Sequence, residues 1–421
     1  MSIPGPRTAA LARRLRARES RNVTFIAEDF PIFWESARGA TVVDVDGNEY
    51  IDCTAAFGVA NAGHGNPRVA QALHDQARLL MHGMGDVHPT EVRVQLLEKL
   101  ADILPRELTT TFLATTGSEA IEAALKTAVL ITGKSRFAAY RGGYHGLSLG
   151  ALGAGGIERF RAPFAAVLGP APVILEFPHA EEGAVQAAAR TREALAGHDD
   201  VAALVIEPIQ GRAGCIVPPD GYLRELRAIC DERNVVMIVD ELFTGFGRTG
   251  EWFAVDRERI VPDILCIGKA MGSGVPISAA VGRARIMDAW PASTGEALHT
   301  STFLGNPLGC AAALATIDEL QRHELPARAK RLGAGLASRL GELRAHRRVV
   351  EVRGRGLLWG VQLVNAAVAS QVVKRALTRG VMLLQSGIAG DTISITPPLV
   401  IEESQLAEAI ETLQQIVGES A

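Results

Sequence analysis

The sequence predicts an α/β fold: a large central domain with a mostly parallel sheet, flanked by a smaller α+β domain built from both chain ends. Three observations carry that prediction. Short β-branched or apolar runs alternate with longer helical patterns through the middle of the chain, the signature of buried strands covered on both faces. Residues 41–51 read instead as a hairpin. From residue 325 onward, helices alternate with short strands in a different rhythm. With 421 residues, 48% of them apolar and 21% charged, the chain has material for two or three domains and a sizeable core.

Taken in order, the first strands lie around the turn Asp46-Gly47-Asn48. Next, Thr111-Phe-Leu-Ala114 is strand-like, turns at Thr116-Gly117-Ser118 and becomes an alanine-rich helix. Residues 201–206 (VAALVI), 235–239 (VVMIV) and 264–267 (ILCI) are buried strands, and 221–233 is a helix between the first two. A helix over 326–344, strands over 350–353 and 357–363, a helix over 368–379 and an amphipathic helix after Glu402 complete the chain. The expected division is 1–70 as N-terminal arm and part of the small domain, 71–324 as the large domain, and 325–421 as the rest of the small domain.

Composition removes several function classes. A net charge of −4, from 43 basic and 47 acidic side chains, argues against nucleic acid or an anionic membrane as partner. The five cysteines are scattered without a C-x-x-C pair, so neither a disulfide framework nor a metal site is expected. No apolar run approaches the ~18 residues of a membrane span. The dense N-terminal arginines, Arg13 to Arg21, read as a solvated helix face, and a cytoplasmic location is expected.

Only six of the basic residues are lysines, so each can be weighed by its surroundings. Lys99, Lys134, Lys330 and Lys374 have ordinary solvent-facing contexts, and Lys126 can extend its stem from an apolar helix to water. Lys269 differs: an apolar strand ends there and a glycine-rich loop begins. Desolvation at such a place favours the neutral amine, which can attack a carbonyl. Asp240 ends the preceding strand, where α/β proteins place ligand-binding groups. Thr116, Gly117 and Ser118 open a helix, a setting that suits a phosphate; a plain capping box is the other reading of the same residues. Tyr144, with His145, lies on the glycine-rich turn Arg141-Gly-Gly-Tyr-His-Gly146 and could cover a planar ring. A lysine, a carboxylate, an aromatic and a phosphate cradle are together what pyridoxal 5'-phosphate requires.

In these residues the chain resembles the class III (omega-type) aminotransferases, pyridoxal-phosphate enzymes of fold type I, from about Phe33 to Val417. The resemblance rests on motifs in order. They are Asp44-Val-Asp-Gly47 with Gly63-His-Gly-Asn-Pro67, Thr116-Gly-Ser-Glu-Ala120, Gly143-Tyr-His-Gly146 and Glu207-Pro-Ile-Gln-Gly211. Asp240-Glu-Leu-Phe-Thr-Gly-Phe-Gly-Arg248, Pro262-Asp263 with Lys269, Ser301-Thr-Phe303 with Gly305-Asn-Pro307, and Thr396-Pro-Pro-Leu399 follow. The resemblance implies a seven-stranded sheet in the large domain and a transferase moving an amino group from a small amine or amino acid to a carbonyl acceptor. It implies that Lys269 forms the Schiff base, Asp240 pairs with the pyridine nitrogen, Tyr144 stacks on the ring and Leu242 supports it from below. Glu207 lies near the cofactor, while Thr116, Gly117 and Ser118 hold the phosphate. Thr302 reaches the neighbouring subunit's phosphate, which implies a homodimer with shared active sites.

The sequence departs from this pattern where relatives bind carboxylates. Relatives that use glutamate or 2-oxoglutarate carry a glutamate after E-P-x-Q-G and an arginine three residues before P-P-L; here these are Arg212 and Ser394. The arginine that often follows Gly-Tyr-His-Gly is Leu147. The usual glutamate switch is therefore not expected. Arg212 either grips an anionic substrate group or is a surface arginine paired with an acid. Arg212, Phe57 and Ser394 are the candidate substrate residues, and the loop holding His82, Met84, Asp86 and His88 is expected at the substrate entrance. A related reading keeps the cofactor but makes the enzyme an ammonia-lyase, epimerase or aminomutase.

Overall fold

The computed structural model describes residues 3–27 and 31–419. Its centre is a seven-stranded sheet. The strands are β1 (Leu108–Ala114), β2 (Arg136–Tyr140), β3 (Val173–Leu175), β4 (Val201–Ile206), β5 (Val236–Asp240), β6 (Ile264–Ile267) and β7 (Ser278–Arg283). Their order in space is β1-β7-β6-β5-β4-β2-β3. Strand β7 runs antiparallel to both its neighbours, and the other pairs are parallel. The sheet is mostly parallel, as its apolar runs imply. Every residue of β4, β5 and β6 is buried. Alternate residues face two cores: Leu204, Met237 and Leu265 pack on one side, while Val205, Ile238 and Cys266 pack on the other. Fully burying each such aliphatic is worth about 1.5–3 kcal/mol.

Helix α1 (Gly117–Thr132) covers the second face through Ala120, Ile121, Ala124 and Ala128. Its small side chains allow close approach to the sheet. Helix α2 (Tyr222–Arg233) covers the opposite face and ends at Asn234 in a left-handed conformation, φ +50°. Helix α3 (Pro307–Arg322) starts at an Asn306 cap whose side chain accepts from Leu308 and Gly309.

Two four-stranded sheets complete the fold. The expected hairpin forms from Thr41–Asp44 and Glu49–Asp52. Its turn is organised by buried Asp44, whose carboxylate accepts from the Asp46 and Asn48 amides, Asn48 Nδ2 and Tyr50 Oη. The same sheet takes its last strand, Val381–Met382, from the far end of the chain. The other sheet is antiparallel throughout and contains Val349–Arg355, Leu358–Leu363, Leu384–Ser386 and Thr392–Ile395. Arg248 ties the parts together: fully buried, it donates to Leu357 O, Pro397 O and Asn61 Oδ1. The N-terminal helix Pro6–Arg16 leaves Arg13, Arg14 and Arg16 exposed. Among the described residues, no helix is long and apolar enough to cross a membrane. All five cysteines are free and buried.

Candidate active site

The C-terminal ends of β1, β2, β4, β5 and β6 open on one edge of the sheet, the edge where open α/β sheets bind ligands. A cavity of about 580 Å³ lies there, and each of those strands delivers a group to its wall. Lys269 follows β6 on a tight turn with φ +45°, a left-handed conformation that costs a non-glycine residue of order 1 kcal/mol. Its Nζ stands 5.1 Å from the Phe243 ring centroid and forms no hydrogen bond or ion pair among the described residues. Burial lowers the amine below the ordinary lysine range, and the charges of Asp240 and Glu207 only partly oppose this.

Asp240 closes β5 with its carboxylate 4% exposed. One oxygen accepts from the Leu242 amide at 3.0 Å, and the other lies 2.8 Å from His145 Nδ1. Burial disfavours protonation of His145, but the hydrogen bond and charge of Asp240, with Glu207, outweigh it and raise the imidazole above its ordinary value. His145 Nε2 is buried without a partner among the described residues.

Glu207 follows β4 and fastens two turns of the cavity floor. Its carboxylate accepts from the Tyr144 amide at 2.9 Å and the Gly211 amide at 3.0 Å. Burial pushes it up to about 7, with His145 pulling the other way and Asp240 adding to the rise. Tyr144 itself is half-buried on the cavity wall.

The start of α1 carries both properties weighed from its residues. Thr116 caps the helix: its hydroxyl accepts from the Glu119 amide, while Glu119 accepts from Thr115 and Thr116. Thr116 is exposed, beside rather than on the cavity wall. Gly117 and Ser118 do line it. Close approach requires glycine here: a Cβ on Gly146, at φ +115°, would lie 2.4 Å from Ser118 Cβ, and one on Gly117 would lie 2.7 Å from Leu242 Cδ1.

Of the substrate candidates, Phe57, Arg212 and Ser394 all reach the cavity. Phe57 sits on a left-handed turn, with φ of +45°, +48° and +64° at Ala55, Ala56 and Phe57. Ser394 Oγ is 2.6 Å from Ser386 Oγ. Thr302 is exposed and lies outside this chain's own cavity. The 81–88 loop contributes no residue to the wall of its own chain's cavity. It packs against the segment before α3, through Asn306 Nδ2 on Met81 O and His82 on Phe303, because its polar groups find partners there. Sequence reasoning missed Phe243 and Leu384. Phe243 adjoins Leu242 in the strand-end motif, a signal that could have found it; Leu384 carries none.

The residues present fit pyridoxal phosphate: an unpaired amine, a buried carboxylate, an aromatic wall and helix-start amides share one cavity, and an imidazole braces the carboxylate. Residues 25–417 match the family described as Aminotransferase class-III. The chain belongs to the class III aminotransferases. An acetylornithine aminotransferase of Methanopyrus kandleri is 39% identical over 384 residues, 91% of this chain and 94% of the relative. A putrescine aminotransferase of Pectobacterium atrosepticum is 37% identical over 405 residues, covering 94% and 84%. The ornithine aminotransferase of Toxoplasma gondii, a structure with partial pyridoxal phosphate occupancy, superposes with a TM-score of 0.87 at 31% identity, covering 97% and 94%. This class III aminotransferase is thus a pyridoxal-phosphate enzyme of fold type I that transfers amino groups.

Proposed function

We propose that amino transfer runs at Lys269, between a small amine or amino acid and a carbonyl acceptor, without the glutamate switch. The observation that carries this reading is a half-buried, unpaired Lys269 amine facing the same cavity as the Asp240–His145 pair. When bound, pyridoxal phosphate supplies an electrophilic carbonyl carbon and an electron sink. Lys269 Nζ, pushed by burial toward the neutral amine, would supply the nucleophile that takes the place of that carbonyl oxygen, released as water, and, once displaced, a base able to move a proton. Asp240, oriented by His145, holds a negative charge at the cavity floor against the pyridine nitrogen. Tyr144 and Leu242, both on the cavity wall, would hold the ring between them. Gly117 and Ser118, at the start of α1, would hold the phosphate beside Thr116, aided by the helix dipole. Glu207 keeps Tyr144 in place.

The altered Arg212 and Ser394 positions support leaving out the switch, since Arg212 has no acidic partner among the described residues and Ser394 pairs with Ser386. A homodimer with shared active sites is part of the proposal. Exposed Leu79, Leu80, Met81, Met84 and Phe303 form an apolar surface beside Thr302 that suits a second copy. A small domain built from 1–70 and 325–421 around a large domain at 71–324 is proposed with it. So is a cytoplasmic location, to which five free buried cysteines are suited.

Borohydride reduction followed by peptide mapping tests the centre of this reading. The cofactor is expected on the peptide holding Lys269, with no label in Lys269→Ala. Mixing with a donor amine but no acceptor should convert the cofactor stoichiometrically to its amine form. Ammonia release with the cofactor unchanged would refute amino transfer and indicate elimination.

A further inference from the structure

Three basic side chains line the cavity among the described residues: Lys269, Arg212 and His145, the last of which is engaged by Asp240. If Lys269 is committed to the chemistry, as proposed above, Arg212 is what remains to meet a charged substrate. Its surroundings are unusual for an exposed arginine. No carboxylate pairs with it among the described residues, so the sequence reading that gave it an acidic partner does not apply. Instead its Cζ lies 5.7 Å from the ring centroid of Tyr144 and 5.6 Å from that of Phe160. Those two rings meet edge to face with centroids 6.0 Å apart.

The backbone beneath the side chain is held fast. The Gly211 amide donates to Glu207, and the Arg212 carbonyl accepts from the Gly387 amide at 3.1 Å. The guanidinium is therefore a mobile head on a fixed pivot. Its resting contacts are weak: a cation over aromatic faces at an exposed site biases an equilibrium by about two- to fivefold. A carboxylate in a charge-assisted, bidentate pair with a guanidinium contributes about ten- to a hundredfold. An arriving carboxylate outcompetes the rings, and a neutral substrate end does not. Much of the remaining wall is apolar, with Phe57, Leu147, Leu242, Phe243 and Leu384, and His145 is already taken by Asp240.

We propose that Arg212 is the anion receptor of this cavity, parked on Tyr144 and Phe160 and released to the carboxylate of an amino acid or oxo acid substrate. Ping-pong transfer brings donor and acceptor to one cavity in turn, so a single parked arginine serves both and withdraws from an amine that lacks a carboxylate. In place of an acid that holds an arginine, this chain uses two aromatic faces.

The inference rests on the amino-transfer reading, and its test separates the two. Apparent affinities are measured with the purified enzyme for 4-aminobutanoate against butylamine and for alanine against ethylamine, with butanoate binding followed by calorimetry. In Arg212→Ala, the carboxylate preference of at least one pair is expected to fall tenfold or more, and butanoate binding to weaken equally. In Phe160→Leu, which removes a parking surface and keeps an apolar side chain, butanoate should bind about two- to fivefold more tightly. Equal loss for both members of each pair in Arg212→Ala, or unchanged butanoate binding in that variant, would overturn the proposal. Weaker butanoate binding in Phe160→Leu would overturn the parked state. Should borohydride fail to label Lys269 while butanoate still depends on Arg212, the amino-transfer reading falls and the receptor stands.

Discussion

Replacing His145 with Phe removes the buried partner of Asp240 while nearly preserving ring volume. The substitution breaks a 2.8 Å hydrogen bond between a histidine side chain 1% exposed and a carboxylate 4% exposed. A hydrogen bond to a charged group contributes about 1.5–3 kcal/mol, and stranding one member of a buried pair costs about 3–5 kcal/mol. The pH dependence follows from the direction of the His145 shift. Its folded-state pKa is raised, chiefly by Asp240 against the opposing effect of burial. The charged form therefore adds stability that is complete below the unfolded value of 6.5 and is lost as pH rises through the folded value. In cofactor-stripped protein, the unfolding free energy of the wild type should exceed that of His145→Phe by about 3 kcal/mol at pH 6. At pH 9, where a neutral hydrogen bond remains, the gap should close to about 1 kcal/mol. Urea titrations at both pH values measure it from the midpoints. A gap that is constant, or wider at pH 9, would refute the view that a protonated His145 braces Asp240.

Two further substitutions probe the backbone around the cavity. Gly146→Ala places a methyl group 2.4 Å from Ser118 Cβ at a φ of +115°, so it should displace the first turn of α1. Affinity for pyridoxal phosphate, titrated by absorbance, should fall at least about tenfold, with stability lower by about 1–3 kcal/mol; wild-type affinity would show that the Gly146–Ser118 approach does not shape the cradle. Ala56→Gly relieves a left-handed alanine at φ +48°. Strain relief of about 1–2 kcal/mol exceeds the added chain entropy of about 0.4–1 kcal/mol. The urea midpoint should rise, and a lower midpoint would contradict the strained turn.

Much of the site is legible in sequence because each part is a local event. Lys269 at the end of an apolar strand, Asp240 at the end of another and a glycine-rich turn at Tyr144 are all visible within a few residues. The phosphate cradle is legible only in part. Thr116, Gly117 and Ser118 read as either a capping box or an anion site; packing gives Thr116 the cap and sets Gly117 and Ser118 on the cavity wall. For the 81–88 loop, a polar, glycine-rich composition says that it is exposed without saying what it packs against, which is the segment before α3. Leu384 and Ser386 escape notice for a related reason. They reach the cavity and its Ser394 through a short antiparallel pairing of 384–386 with 392–395, strands too brief and too mixed in polarity to show an alternating pattern.

The sequence by itself determines the strands, the helices and the chemical groups that stand at their ends, because alternation, helical spacing and turn residues act over a few positions. Tertiary structure decides which of those groups meet. The order β1-β7-β6-β5-β4-β2-β3 does not follow chain order, so no local pattern could pair His145 with Asp240 across 95 residues. Nor could one separate the two readings of Arg212. Whether a guanidinium faces an acid or the rings of Tyr144 and Phe160 depends on where neighbouring strand ends carry their loops, and that is settled by packing the whole sheet.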